Sequence, residues 1–182
     1  MGEVTKQIID YPLGHEPNYI MPNKNCSYRF ALGKTGKNPL VAICMNPSRA
    51  EEKCSDRTIN RIINISKQLC ADGWMVFNLY PERATDAKTL SEYDENLSSQ
   101  NIKCICDYLA HNGIKEVWGA WGDDNGVKPL MIAKQNILKI LSNQGIKVYY
   151  FGTLTKSGNP RHPLQRFEKW VFSDKHYLKD LQ

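Results

Sequence analysis

Three polar residues of this chain, Asn46, Asn78 and His162, each follow an apolar, strand-like run or sit in the loop after one, where side chains suited to chemistry are presented. Asn46 closes Leu40-Val-Ala-Ile-Cys-Met45 and opens Asn46-Pro47-Ser48. Proline biases the residue before it towards extended backbone, and an asparagine amide both donates and accepts, so Asn46 suits holding a water or a ligand edge. The same tripeptide is ordinary turn chemistry. Asn78 closes Trp74-Met-Val-Phe77. It offers the paired donor and acceptor that reading a nucleobase edge requires, or a bond to local backbone in a turn. His162 stands between Pro160-Arg161 and Pro163, a stiff setting from which an imidazole can donate to a ligand oxygen or move a proton.

Charged and aromatic neighbours extend the same edge. Arg83, in Pro81-Glu82-Arg83-Ala84-Thr85, suits a phosphate or carboxylate, or an ion pair with Glu82 or Asp86. Lys156 and Arg161 add positive charge beside His162. Trp118 and Trp121 flank Gly119-Ala120; packing in the core is one role, and a stacking wall for a flat ligand is the other. Gly122-Asp123-Asp124-Asn125-Gly126 reads as a turn whose aspartates are either solvated or functional.

The elements that must position these residues follow from periodicity. The four apolar runs are 40–45, 74–77, 116–118 and 148–151, and helical patterns separate them, so the strands run parallel with their C-terminal ends on one edge. In open α/β sheets that edge is where ligands bind. One helix follows Cys54-Ser55-Asp56, with Ile59, Ile62, Ile63, Leu69 and Cys70 on one face and Ser55 or Asp56 as its cap. A second carries Ile102, Ile105, Cys106 and Leu109 and stops at Asn112-Gly113; a third opens at Pro129 and runs to Gly145. Right-handed crossovers then give a three-layer α/β/α sandwich. Tyr28–Leu32 reads as an added N-terminal strand, turned by Gly33-Lys-Thr-Gly36-Lys37-Asn38 as a hairpin into the first core strand. That glycine-rich turn lacks the spacing of a phosphate loop. Residues 1–25 read as an extended arm and residues 26–182 as a single α/β domain.

Composition bounds the rest. The chain has 182 residues, 41% hydrophobic and 24% charged, with a net charge of +5 that permits an anionic partner without demanding one. No apolar run is long enough for a membrane span, and residues 1–10 lack a signal-peptide pattern, so a cytoplasmic location is the expectation. The six cysteines read as free thiols, with Cys44, Cys70 and Cys106 buried, and Cys104-Ile-Cys106 has the wrong spacing for a zinc knuckle. No metal and no cofactor is expected.

Met45-Asn-Pro-Ser48, Asp56-Arg-Thr-Ile59, Asn78-Leu79 with Arg83-Ala-Thr-Asp86, Ala120-Trp-Gly122, and Thr155-Lys156 with Pro160-Arg-His-Pro-Leu164 together resemble a family of unknown function, domain of unknown function 1643. The chain departs from it at Gln100-Asn101-Ile102, where an acidic residue is expected after the asparagine. More distantly, the order of features resembles the uracil-DNA glycosylase superfamily. That resemblance implies a four-stranded parallel sheet of order 2-1-3-4 between helices. It also implies that Asn46-Pro47 positions water, Asn78 reads a base, and Trp121-Gly122 and His162-Pro163 close the remaining strand ends. Cys44 stands where a glycine is usual, Ser48 where a glycine or aromatic is usual, and the loop is short at Leu164.

The expected protein is therefore a nucleobase-, nucleotide- or nucleic-acid-binding enzyme that cleaves or exchanges an N-glycosidic bond. The other expectation is a non-catalytic binding module using the same pocket. Asn46 would place water and His162 would stabilise charge on the base. Asn46 cannot itself be the base, because an amide does not titrate near neutrality, so activation would come from stabilising the leaving base or from a carboxylate such as Asp56. Pro47, Ser48 and Asn78 would line the substrate site, Tyr80 or Trp121 would stack, and Arg83, Lys156 and Arg161 would hold phosphate.

Overall fold

The computed structural model of the protein describes residues 9–25 and 27–179. The reading of residues 1–8 lies outside them. Among the described residues seven strands and three α-helices follow one another as β1 (Tyr19–Met21), β2 (Ala31–Lys34), β3 (Pro39–Cys44), α1 (Arg57–Gln68), β4 (Gly73–Asn78), α2 (Glu95–His111), β5 (Glu116–Gly119), α3 (Lys128–Asn143), β6 (Lys147–Phe151) and β7 (Lys175–Tyr177). They build one mixed sheet of order β1-β2-β4-β3-β5-β6-β7. The β4–β3, β3–β5 and β5–β6 pairs are parallel, and the outer pairs are antiparallel. The expected four-stranded sheet is thus a seven-stranded one. Short antiparallel strands cover both sides of the parallel strands, which otherwise would end in long unpaired edges.

Strand alternation sorts the core into two layers. Leu40, Ala42 and Cys44 of β3 and Trp74 and Val76 of β4 pack with Ile59, Ile62, Ile63 and Ile65 of α1. Val41, Ile43, Met75 and Phe77 pack on the other face with Ile105 and Leu109 of α2 and Ile137 and Leu141 of α3. Every residue of β3 and β4 is buried, as strands covered on both faces must be. The isoleucines of α1 are poor intrinsic helix formers, so burial of that face holds the helix. Asp56 caps it, its Oδ1 accepting from Ile59 N at 2.9 Å. The helix ends at Gln68, so Cys70 does not continue its apolar face. Cys70 is exposed, with a φ of 56° in the turn that leaves the helix.

The added strand expected over Tyr28–Leu32 forms at Ala31–Lys34 and makes no hairpin. β2 pairs with β4 instead of its chain neighbour β3, Leu32 lying opposite Val76. Asp72 makes this possible by accepting from Lys37 N at 2.9 Å and Asn38 N at 2.8 Å, which turns the connection across the foot of β4. The two glycines of the turn serve close approach. A Cβ on Gly33 would lie 2.3 Å from the Trp74 carbonyl oxygen, and one on Gly36 would lie 2.2 Å from an Asp72 carboxylate oxygen. The N-terminal segment joins the same side: β1 pairs outside β2, and Tyr11 is buried against Trp74 with ring centroids 6.1 Å apart. No helix among the described residues is long and apolar enough to cross a membrane.

Gly33→Ala is expected to destabilise the protein by about 1–3 kcal/mol, because the obstructing atom belongs to a core backbone carbonyl that cannot yield cheaply. Equilibrium urea unfolding measures the loss; an unchanged midpoint would refute the close approach.

Candidate functional site

A cavity of about 260 Å³ opens at the C-terminal ends of β3 and β4, on the α1 side of the sheet. Asn46, Ser48, Asp56, Asn78 and His162 all line it, with Val76 and Ile59 among its apolar walls. Five residues from four separate stretches of sequence meet there. Each arrives by a different device.

Asn46 leaves β3 and spends its amide hydrogens on backbone, donating to Ala84 O at 2.8 Å and Pro47 O at 3.1 Å. The Oδ1 accepts from no described residue, so the group it offers is an acceptor. Asn78, the last residue of β4, is 1% exposed, and its Nδ2 is buried without a partner. Asn101 of α2 holds the Asn78 backbone, donating from Nδ2 to Asn78 O at 2.9 Å. Asn78 lines the cavity, and its Nδ2 is enclosed with no protein acceptor. Such a group costs about 1–3 kcal/mol while it stays unpaired.

His162 reaches the cavity on the loop after β6. The Leu164 backbone N–H donates to its Nδ1 at 3.2 Å, so Nδ1 carries the lone pair and the proton of the neutral ring is on Nε2. Burial pushes its pKa below the usual 6.5, against an opposing pull from Asp56. Near pH 7 the ring is a neutral donor. Among the described residues Asp56 is the only carboxylate lining the cavity, and its Oδ2 also accepts from Ala50 N at 3.3 Å.

The His162 loop rests on the end of β5. Gly122 has a φ of 75°, its N–H donates to Pro160 O at 2.9 Å, and a Cβ there would lie 3.2 Å from the His162 Cβ. Asp123 Oδ1 accepts from Thr155 Oγ1 at 2.6 Å and Asn159 Nδ2 at 2.8 Å. Asp124 pairs with Lys134 at 2.5 Å. The two aspartates of the turn are thus neither solvated nor in the cavity; they brace the loop.

The other expected residues do not line this cavity, and each has a different place. Pro47 is buried and lends its carbonyl to Asn46 and to Ala84 N at 3.0 Å. Tyr80 is fully buried beside Leu130 and Ala133, its OH accepting from Asp94 N at 2.9 Å, so no face is open for stacking. Trp121 is core, with Nε1 donating to Asn159 Oδ1 at 3.3 Å. Arg83 donates to Ser48 O at 3.1 Å and Ala50 O at 3.3 Å, bracing the loop after β3 from behind. Arg161 donates to Thr153 O at 3.0 Å and pairs with Glu168 at 3.3 Å, and Lys156 is exposed.

Cys44 and Arg29 are among the lining residues that sequence alone does not assign to the site. Cys44 is buried, and its thiol is pushed up to about 12, chiefly by burial, so it is no nucleophile. Arg29 lines the cavity while 2% exposed. Its signal was a lone cation inside the apolar run Tyr28-Arg29-Phe30-Ala31-Leu32. Among the described residues no cluster of His, Cys, Asp and Glu suits a metal. A larger cavity of about 450 Å³ lies at the foot of β6, but among the described residues Lys147 and Lys179 are the only charged ones lining it.

Because the folded pKa of His162 is depressed, the unfolded chain binds the extra proton first as pH falls below about 6.5. Stability at this site is therefore intact above that pH and is lost on acidification. Denaturant midpoints measured from pH 7.5 to 5 are expected to fall less steeply in His162→Gln than in the wild type. Equal slopes would sink the assignment of a buried neutral ring.

No curated protein and no solved structure matches the chain. A family model described as Protein of unknown function (DUF1643) matches residues 29–164, the stretch that begins at Arg29 and ends just past His162. With three quarters of its length inside that match, the chain belongs to the DUF1643 family.

Proposed function

We propose that the cavity binds a nucleobase, carried on a nucleotide or nucleic acid, and that the protein cleaves or exchanges its N-glycosidic bond. The observation that carries this reading is the convergence of Asn78, with its unpaired amide, a neutral His162 and Asp56 on the lining of one small cavity. Its volume of about 260 Å³ is below the ~300–1,000 Å³ of sites that enclose a whole drug-sized ligand. A single heterocycle with its sugar outside suits that size. The order of strand-end motifs resembles that of the uracil-DNA glycosylase superfamily, and supports the same reading.

In hydrolysis, Asn46 Oδ1 accepts one hydrogen of a water and Asp56 takes the proton as that water attacks the sugar C1′. The C1′–N bond breaks with its electron pair leaving on the base, while donors from Asn78 Nδ2 and His162 Nε2 stabilise the departing charge. Exchange differs only in that a second base, not water, attacks C1′. A reducing compartment, the cytoplasm, suits the free thiols of Cys44, Cys54, Cys70, Cys104 and Cys106.

The second reading, a non-catalytic module, draws on the Asp56 cap: an oxygen committed to Ile59 N is explained without chemistry. Incubation of the protein with base-modified oligonucleotides and nucleotides, scored for released base, separates the two. Release is expected, falling about 10²–10⁴-fold in Asp56→Asn, which keeps the helix cap, and in His162→Ala. Binding of a base without release in any variant would favour the module. No binding and no release would end the nucleobase proposal.

A further inference from the structure

Arg29 is a buried cation with too few partners. Its Nη1 donates to the Ala50 carbonyl, and its Nε is enclosed without any acceptor. Nη2 has no partner among the described residues, and no described carboxylate lies within the 4.0 Å of an ion pair. A guanidinium carries five N–H donors, so most of this one is unanswered by protein. Buried arginines are ordinarily paired or multiply hydrogen-bonded, because desolvating the charge is costly.

The surroundings raise the demand. Arg83 donates to the same Ala50 carbonyl at 3.3 Å and has its own Nε buried without an acceptor. Two guanidinium groups thus converge on one oxygen, with Glu51 3.9 Å from Arg83 on the solvent side. Burial and Arg83 together push Arg29 down to about 10, and it remains charged at neutral pH. Asp56 lies in the same cavity, but its oxygens accept from Ile59 N and Ala50 N, and it stays beyond ion-pair distance. His162, neutral, adds a donor and no charge.

We propose that Arg29 is an anion-recognising residue, and that the ligand of this cavity carries an oxyanion, a phosphate or a carboxylate, which completes its guanidinium. Planar guanidinium and oxyanion geometries match through two parallel N–H···O bonds, and the arrangement would relieve the repulsion between Arg29 and Arg83. Nucleobase binding as the role of the cavity underlies this inference, which narrows the ligand to anionic members of that class. Neither Lys156 nor Arg161 is needed for it.

Calorimetric titration of the full chain at constant ionic strength tests the proposal with three probes. They are inorganic phosphate, a nucleoside 5′-monophosphate beside its nucleoside, and a pyrimidine carboxylate beside the parent pyrimidine. At least one anion is expected to bind tenfold or more tightly than its neutral counterpart. Arg29→Met should abolish that preference and Arg29→Lys should keep part of it. A gain confined to phosphates or to carboxylates identifies the source, and either supports the proposal. Equal binding of anionic and neutral partners by the wild type overturns it while leaving the nucleobase reading intact, and so does a preference that survives in Arg29→Met. Phosphate binding that depends on Arg29, with no binding of any base or nucleoside, supports the anion site and ends the nucleobase reading. Silence from every probe overturns both. Should Arg29→Met fail to fold, the wild-type comparisons still decide.

Discussion

The Ala50 peptide is the joint on which the site is built. Its carbonyl accepts from Arg29 at the head of β2 and from Arg83 in the loop after β4, while its N–H donates to Asp56 at the cap of α1. Next to it, Glu51 O accepts from the Tyr11 hydroxyl at 2.5 Å. Four segments far apart in sequence thereby grip one turn of the loop between β3 and α1. Hydrogen bonds from charged donors contribute about 1.5–3 kcal/mol each, enough for two of them to hold a buried loop that apolar packing alone would leave free to shift. Ser48 and Asn46 lie on that same loop, so whatever holds Ala50 also places them.

A second rigid body meets the first across the cavity. The loop after β6 owes its shape to Asp123, Thr155 and Asn159, and Asn159 Oδ1 takes further bonds from Trp121 Nε1 at 3.3 Å and Lys134 Nζ at 3.0 Å. Pro160 and Pro163 stiffen its backbone around His162. Donors held this firmly need little reorganisation when charge develops on a ligand, which is the condition under which oriented dipoles act most strongly. The glycines at the end of β5 belong to the same logic. A Cβ on Gly119 would lie 2.9 Å from Pro160 Cγ, so the loop can settle on the strand end only where no side chain intervenes.

Much of this was legible in the chain. Apolar runs of three to six residues, each followed by a polar or small one, mark the core strands, and the three helices lie where the 3.6-residue period places them. Asn46, Asn78 and His162 were readable as strand-edge residues because local pattern alone sets that position. What failed was whatever depended on partners distant in sequence. Nothing in Gly33–Asn38 itself says that β2 crosses β4 to pair on its far side; the cause is Asp72, reached only in three dimensions. Tyr80, Trp121, Arg83 and Arg161 stand close in sequence to site residues, yet their side chains find partners in the core or in loop backbone, which spacing along the chain does not foretell. Arg29 was passed over for the converse reason. A charge in an apolar strand-like run looks like an interruption until the cavity beside it is known.

Unsatisfied buried groups are suggestive only in company. Among the described residues six buried side-chain atoms lack a partner: Arg29 Nε, Asn78 Nδ2, Arg83 Nε, Ser98 Oγ, Asn101 Oδ1 and Tyr108 OH. Three of them belong to α2, where a helix packed on a sheet accepts the cost of about 1–3 kcal/mol apiece as part of an otherwise apolar interface. Arg29 and Asn78 differ in that both line one cavity, from separate stretches of the chain, together with the sole carboxylate and the sole imidazole that reach it among the described residues. A fold gains nothing in stability by gathering residues with unpaired donors around the same hollow. A ligand that accepts from both would gain from each, and that convergence separates a binding site from a packing imperfection.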